Sequence, residues 1–110
     1  IIAATGNYRS FSKHARKYIK NFIEVYIDCS VHTCIQRDPK GFYRKAKSGE
    51  ILTLPLLIEG MNEDFVKENF PFFDIYEPPL NPDLIINTDK LKIRESINLL
   101  QEFLKSKNII

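Results

Sequence analysis

The hydrophobic positions along this chain follow two patterns: short apolar runs, and apolar residues at helical spacing. Largely apolar runs occupy residues 1–4, 22–27 and 83–86, and each predicts a short strand. Residues 8–20 and 93–105 carry apolar side chains at helical intervals, which predicts an amphipathic helix in each range. Because strands alternate with helices, we predict an α/β domain with a parallel sheet.

Two shorter helices are predicted between the second and third strands, over residues 31–37 and 41–48. Asp28 or Ser30 can cap the first of them, since both side chains accept hydrogen bonds from backbone N–H groups. Gly49 follows the second helix, at the position where a left-handed residue commonly ends a helix.

Residues 51–79 have a less regular pattern. Residues 51–58 are apolar, residues 59–68 are acidic and compatible with a helix, and residues 69–79 are aromatic with several prolines. The apolar run at residues 52–58 could form an interface. No repeat, low-complexity tract or linker divides the 110 residues, so we expect one domain.

The composition is that of an ordinary globular protein, with 44% hydrophobic and 27% charged residues. A formal net charge of +2 is too small to predict general nucleic-acid binding, so an anion site must be a local concentration of cations. No apolar run is long enough to cross a bilayer and no secretory signal opens the sequence, so we predict neither a membrane nor a nucleic-acid partner. The sequence begins inside an apolar run without methionine, which we interpret as the C-terminal part of a longer protein.

The cysteines and histidines indicate no metal site. Cys29 and Cys34 have neither a metal-ligand spacing nor the pattern of a disulfide framework, so we expect a reduced, cytoplasmic setting. Packing is the favoured role for both cysteines. His14 and His32 have no second ligand at a suitable spacing, and we predict no bound metal.

Cations are concentrated between Arg37 and Lys47, where five of them stand against one carboxylate. Lys40, Arg44 and Lys47 fall on one helical face, and like charges grouped in this way repel each other unless an anion neutralises them. A phosphate or a sulfate would do so. The alternative is a solvated surface helix that binds nothing.

Two further polar segments follow predicted strands, at the edge where parallel sheets bind ligands. Arg9, next to Tyr8, can hold an oxyanion with paired donors, and Asn87, Thr88 and Asp89 could line a base pocket. The alternatives are an ordinary surface arginine and a turn before the C-terminal helix.

These segments together resemble the adenylylsulfate kinase family. Residues 22–28 and 34–51 are similar to that family's strand, helix and lid, and the most specific part is the run Arg-Asp-Pro-Lys-Gly-Phe-Tyr that starts at Arg37. Residues 76–88 are similar to the family's closing strand, and residues 1–9 match more loosely the strand and turn before the lid region.

The resemblance implies a fold and an activity. Members of this family are P-loop kinases that transfer the ATP γ-phosphoryl group to the ribose 3′-hydroxyl of adenylylsulfate, with Mg²⁺, and they are often homodimers. It implies a cytoplasmic nucleotide kinase of sulfate assimilation that uses ATP and Mg²⁺. The implied fold is a partial P-loop kinase, a three-layer α/β/α arrangement whose parallel sheet lacks its N-terminal strands. Residues 1–110 would be the C-terminal part of one such domain, with a divergent insertion at about 52–75.

The resemblance also implies roles for individual residues. The implied substrate-binding residues are Thr5, Gly6, Arg9 and Lys40. The implied nucleotide-binding residues are Arg37 and Thr88, and the remaining lid cations are Arg44 and Lys47. Positive charge around a dispersed anionic transition state is what phosphoryl transfer requires. No catalytic residue can be assigned in this chain.

Two departures from the family pattern leave the substrate open. Residues 5–7 read Thr-Gly-Asn where the family has Ile-Ser-Pro. After Ile51 the chain lacks the family's Gly-Phe-Thr-Gly-Ile-Asp segment, whose phenylalanine packs on the substrate adenine. One of Phe70, Phe72 or Phe73 could substitute for it. Alternatively, the substrate is another nucleotide anhydride, for instance a cytidine-based one.

The third departure is the absence of the Gly-x-x-x-x-Gly-Lys-Ser/Thr sequence that holds ATP phosphates. We therefore predict that this segment alone is not catalytic, and a degenerate domain that binds an anion or a partner is the alternative function. In the family the strand before that loop lies between the strands that correspond to residues 1–4 and 22–27. We expect an empty slot at that place, unless more chain, another chain or repacking fills it.

Overall fold

The computed structural model describes residues 1–51 and 53–110. Its helices are α1 (Arg9–Tyr18), α2 (Val31–Arg37), α3 (Phe42–Lys47), α4 (Glu63–Asn69) and α5 (Ile93–Ser106). Its strands are β1 (Val25–Asp28), β2 (Pro55–Leu56), β3 (Asp74–Ile75) and β4 (Leu84–Asn87). The alternation of helices and strands is confirmed, although α1 and β1 are shorter than the sequence pattern predicts.

The described strands form two small parallel pairs. β1 pairs with β4, with Val25 opposite Leu84 and Asp28 opposite Asn87. β2 pairs with β3 over two positions. Parallel pairing across a helical crossover confirms the α/β class. The two pairs are separate sheets, however, whereas the sequence predicted one parallel sheet.

Charged side chains fix the start of the β1–β4 pair. The Asp83 carboxylate accepts a hydrogen bond from the Glu24 N–H at 2.7 Å and from Arg16 Nη2 at 3.2 Å. Arg16 also lies 3.7 Å from the Glu24 carboxylate, and its guanidinium lies over the Phe22 ring at 5.2 Å from the centroid. These contacts hold α1 against the segments that enter both strands.

The first residues of the chain do not form the strand that the apolar run predicts. Residues 1–7 have no regular secondary structure, and the two isoleucines at their start are exposed. The prediction was wrong because a strand needs a partner, and among the described strands β1 is paired only with β4. Asn7 anchors the segment instead, since its side chain donates to Asp74 Oδ2 and to the Ile75 carbonyl, both at 3.1 Å.

The helix ends follow the sequence signals closely. Ser30 caps α2, and its Oγ accepts a hydrogen bond from the Thr33 N–H at 3.3 Å. Asp28 does not serve as the cap because it is the last residue of β1. Gly49 follows α3 with a φ of 84°, so the predicted left-handed position is confirmed.

The buried core lies mostly in the region whose structure the sequence left open. Ala46 of α3, Leu56 of β2, Val66 of α4 and the following Phe70 form one buried cluster. β2, α4 and β3 all come from the stretch predicted as a divergent insertion. The lid-like helix α3 therefore rests on this insertion through its apolar face.

The apolar run at residues 52–58 is not a continuous exposed interface. Leu56 is only 1% exposed, because it packs inside the core cluster, whereas Ile58 is 37% exposed. Leu52 lies outside the described residues. Burial of Leu56 within the chain removes the central side chain of the predicted interface.

An open cavity of about 740 Å³ separates the N-terminal segment from β1. Its lining includes Val25, Tyr26 and Ile27 of β1, together with Ile2 and Phe11. The family resemblance predicted an empty slot beside β1, between it and a strand at residues 1–4 that the structure does not form.

Candidate functional site

Two predicted nucleotide-binding residues meet at the carboxyl ends of the β1–β4 pair. Arg37, the last residue of α2, donates through Nη2 to the Thr88 carbonyl at 2.8 Å and through Nη1 to Thr88 Oγ1 at 3.3 Å. Thr88 in turn donates to the Asp28 carbonyl through Oγ1 at 3.1 Å and through its N–H at 2.9 Å. The arrangement holds the base of the lid against the ends of both strands, where parallel sheets bind ligands.

Asp89 has a structural role at this place. Its Oδ2 accepts from the Ser30 N–H at 2.7 Å and its Oδ1 from Ser30 Oγ at 3.2 Å. Hydrogen bonds from Thr33 and from Ser30 lower the pKa of the Asp89 carboxyl. The Asp89 N–H donates to Asn87 Oδ1 at 3.0 Å, which closes a tight turn. Asp89 therefore binds the N-terminus of α2. For Asp89, the interpretation of this segment as a turn is the correct one.

Sequence reasoning missed the residue that orders the lid. Asp38 accepts hydrogen bonds from the Tyr43 N–H through Oδ1 and from the Arg44 N–H through Oδ2, both at 3.1 Å. These donors belong to the first turn of α3, which begins after Gly41 in a left-handed conformation. An aspartate shortly before a helix start was the available signal.

The lid cations lie on the exposed side of α3. Arg44 and Lys47 are exposed, as is Lys40 just before the helix, whereas Tyr43 and Ala46 on the opposite side contact the core cluster. Within residues 1–51 and 53–110, none of the three cations forms an ion pair. Their charge is not neutralised by those residues, so an anion that approaches this face meets unpaired donors.

The other predicted substrate residues lie at the cavity beside β1. Thr5, Gly6 and Arg9 all line it, whereas Lys40 does not. Arg9 Nε donates to the Pro78 carbonyl at 2.8 Å, and its backbone N–H donates to a Glu77 carboxylate oxygen at 3.2 Å. One side of the guanidinium is thus occupied. The predicted site residues thus form two groups. Arg37 meets Thr88 at the strand ends, and Thr5, Gly6 and Arg9 share the lining of the cavity.

Tyr8, which lines this cavity, makes a polar contact that the sequence did not reveal. The Tyr8 hydroxyl donates to Asp74 Oδ1 at 2.6 Å. This hydrogen bond raises the pKa of the Tyr8 hydroxyl and lowers the pKa of the Asp74 carboxyl. The two residues are far apart in the chain, so no local pattern could have indicated the pair.

The aromatic side chains that could replace the family's stacking phenylalanine differ in access. Phe70 is 3% exposed inside the core cluster, so it cannot stack on a ligand base. Phe73 packs against the same cluster. Phe72 is 55% exposed and is therefore the one of the three that remains accessible.

The histidines lie against aromatic rings. His14 lies 4.7 Å from the Tyr18 ring and His32 lies 5.7 Å from the Phe65 ring, centroid to centroid. The described residues contain no group of three or more His, Cys, Asp or Glu side chains that could hold a metal ion. They also contain no helix long and apolar enough to span a membrane.

The parallel β1–β4 pair, with helices in the crossover between its strands, defines an α/β protein. The model of the adenylylsulphate kinase family matches residues 1–87. The adenylyl-sulfate kinase of Staphylococcus haemolyticus (strain JCSC1435) is 39% identical over 112 residues, which cover 100% of this chain and 49% of the relative. The adenylyl-sulfate kinase of Halothermothrix orenii is 39% identical over 104 residues, which cover 94% of this chain and 48% of the relative. The adenylyl-sulfate kinase of Synechococcus sp. (strain JA-2-3B'a(2-13)) is 34% identical over 110 residues, which cover 100% of this chain and 54% of the relative.

This chain belongs to the adenylylsulphate kinase family. Its helices and parallel strands are accordingly part of a P-loop kinase fold. The chain spans about half the length of the curated relatives that it matches.

Proposed function

We propose that the complete protein transfers the ATP γ-phosphoryl group to the 3′-hydroxyl of adenylylsulfate, in the cytoplasm and in sulfate assimilation. The observation that carries this proposal is the contact of Arg37 with Thr88 at the carboxyl ends of β1 and β4. A family member needs a nucleotide site at this edge, and two residues with an expected nucleotide role meet there.

The residues of this chain fit part of an ATP site. Arg37 can stack on or donate to a nucleotide because its guanidinium is planar and lies at the strand ends. Lys40, Arg44 and Lys47 can close over anionic oxygens from the exposed side of the lid. ATP supplies the phosphoryl group when bound, but its phosphates and Mg²⁺ need a glycine-rich loop, and this sequence contains none. We propose that the phosphate loop comes from polypeptide outside these 110 residues.

The exposed surface supports the same proposal. A folded monomer of 12.9 kDa exposes roughly 6300 Å² by the general scaling of surface with mass, whereas this chain exposes 8543 Å². Apolar residues that line the cavity beside β1 are part of this additional exposed surface. Further chain that covers the cavity would complete the sheet and bring phosphate-binding groups to the site.

The activity can be tested directly with the complete protein. Mg-ATP and adenylylsulfate should yield ADP and a 3′-phosphorylated product, which chromatography with mass detection separates from the substrate. The matched reaction without adenylylsulfate measures background ATP hydrolysis. ADP release above that background without a 3′-phosphorylated product would contradict the proposed acceptor.

A sister kinase for another nucleotide anhydride is the second candidate function. Burial of Phe70 and packing of Phe73 favour it, because two of the three phenylalanines that could replace the family's stacking residue are withdrawn into the core. A panel of adenosine and cytidine anhydrides, assayed by ADP release, separates the two kinases. If no member of the panel supports ADP release while the protein still binds one of them, the non-catalytic binding domain is the better description.

The lid can be tested with paired alanine substitutions. In the complete protein, Arg44→Ala with Lys47→Ala should raise the KM for the anionic acceptor several-fold, because two cations on the exposed face are lost. The matched control is Lys13→Ala with Lys105→Ala, which removes the same charge from exposed positions on α1 and α5. An equal change in KM for both pairs would show that only net charge matters.

A further inference from the structure

Two cysteines with no expected relation become neighbours at the start of α2. Cys29 lies directly before the cap Ser30, and Cys34 is the fourth helical residue after it. Side chains at these two positions meet across the first helical turn, which is the geometry of the hydrophobic staple. Both thiols are free and partly exposed, and both side chains line the same cavity.

Both sulfurs are reachable and have polar neighbours. They line the open cavity beside β1, so a small oxidant can approach them from solvent. Cys29 Sγ donates to Asp89 Oδ1 at 3.7 Å and accepts from Arg37 Nη1 at 3.7 Å. The Cys29 sulfur is therefore in direct contact with the guanidinium that holds Thr88.

We propose that Cys29 and Cys34 are a redox modification site that closes to an intramolecular disulfide. With glutathione disulfide as the oxidant, one cysteine thiolate attacks a sulfur of the oxidant and expels one glutathione thiolate, which leaves a mixed disulfide. The second cysteine thiolate attacks the protein sulfur of that mixed disulfide and expels the second glutathione. Both protein thiols are oxidised, their protons pass to the released glutathione thiolates, and glutathione disulfide is reduced to two glutathione molecules.

Closure changes the surroundings of Arg37. A disulfide sulfur has no hydrogen, so Cys29 can no longer donate to Asp89. The same sulfur must turn toward Cys34, which weakens its contact with Arg37 Nη1. The oxidised form thus holds the base of the lid less firmly, and this consequence for nucleotide binding rests on the function proposed above.

The disulfide can be tested on this chain by peptide mass. After equilibration with glutathione disulfide, alkylation and trypsin digestion, the peptide of residues 21–37 carries both cysteines. We expect this peptide to lack both thiol hydrogens and both alkyl groups, and to become alkylatable again after reduction. A peptide that stays doubly alkylated after oxidant treatment overturns the proposal.

A positional control separates proximity from general thiol reactivity. Cys34→Ser with Gln36→Cys moves the second thiol to an exposed position on another side of α2. We expect this variant to carry mixed disulfides with glutathione but no internal disulfide. Internal closure as efficient as in the unaltered chain would show that the positions of Cys29 and Cys34 around the start of α2 are not what permits it.

The consequence for nucleotide binding has its own measurement. The oxidised complete protein should bind ATP several-fold more weakly than the reduced protein, and Cys34→Ser should abolish that difference. An unchanged affinity after confirmed closure overturns the coupling to Arg37. No ATP binding in either redox state contradicts the proposed function instead, while the peptide masses still decide whether the disulfide forms.

Discussion

At the scale of single residues, the most consequential side chain is Arg37. It ends α2, contacts both the carbonyl and the hydroxyl of Thr88, and touches Cys29. These three contacts define the position of its guanidinium. The resemblance to adenylylsulfate kinases implied a nucleotide-binding role for this arginine. Asp38, directly after it, then begins the lid by capping α3.

Arg37→Lys should weaken ATP binding by the complete protein several-fold. A lysine carries one compact ammonium and cannot donate to Thr88 Oγ1 and to its carbonyl with the geometry of a guanidinium fork. Isothermal titration with ATP measures the change. Arg94→Lys, on the exposed side of α5, is the matched control and should leave the affinity unchanged. The role assigned to Arg37 is wrong if both variants bind ATP equally well.

Gly41→Ala should lower the free energy of unfolding of this chain by about 1–2 kcal/mol, because Gly41 has a φ of 69° and L-residues are strained there. The added Cβ would also lie 2.7 Å from Arg44 Nη2, so the Arg44 side chain must move. Gly6→Ala is the matched control, since a Cβ at Gly6 meets nothing within 4 Å. Urea titration followed by circular dichroism gives both values. A larger loss in the control would contradict this account.

At the scale of elements, helix α3 depends on the packing of β2 and α4 against it. α3 contributes Ala46 to the buried cluster, and β2 and α4 contribute Leu56 and Val66. The Tyr43 ring also lies edge-on to the Phe70 ring, with centroids 6.2 Å apart. The apolar face of α3 is thus held by β2, α4 and Phe70, and its cationic face stays exposed.

Leu56→Ala should destabilise this chain by about 2–5 kcal/mol, because it removes a fully buried side chain and leaves a cavity under α3. Leu80→Ala is the matched control, since Leu80 is 72% exposed and its removal empties no core. The midpoint of urea unfolding should therefore fall for Leu56→Ala and stay nearly constant for Leu80→Ala. Equal midpoints would show that the cluster does not stabilise the lid.

At the scale of the whole molecule, the chain is more open than a complete small domain. Its radius of gyration is 15.7 Å, whereas a compact domain of this length has about 13 Å. Among the residues that the structure describes, the buried hydrophobic ones are Ala46, Leu56, Val66, Phe70 and Ile86, and four of these belong to one cluster. The β1–β4 pair therefore has little core of its own, and its stability depends on hydrogen bonds and charged contacts at its ends.

Those charged contacts predict a loss of stability in acid. A hydrogen bond from the Glu24 N–H, with a further contribution from Arg16, lowers the pKa of the Asp83 carboxyl below its ordinary value of 3.8. The unfolded chain then binds protons at a higher pH than the folded chain. The contribution of Asp83 is therefore complete above that ordinary value, and it is lost as pH falls through the lower folded pKa.

The unfolding midpoint in urea, measured between neutral pH and pH values below 3.8, tests this prediction. We expect the midpoint to fall at the acid end, and Asp83→Asn should reduce that fall. The control Glu102→Gln alters an exposed carboxylate on α5 and should keep the full acid dependence. An identical acid dependence in both variants would contradict a contribution from Asp83.

Local signals predicted the helices well. The signals that held act over one or two helical turns, so they can be recognised in the sequence. They are the cap Ser30, the left-handed Gly49 and the apolar spacing of α5. The motif that starts at Arg37 could be recognised for a similar reason, because its residues are contiguous. Asp38 shows the limit of such signals, since its carboxylate caps a helix that starts after a proline turn.

The sequence by itself determined the α/β class, the family and the cationic helix α3, because periodicity, helix caps and a contiguous motif depend on neighbours along the chain. Tertiary structure alone decided that residues 1–7 stay without a strand partner, that Leu56 lies in the core, and that Arg37 reaches Thr88. These outcomes depend on residues distant in the chain. Strand pairing and burial are properties of the assembled fold, so no local pattern encodes them.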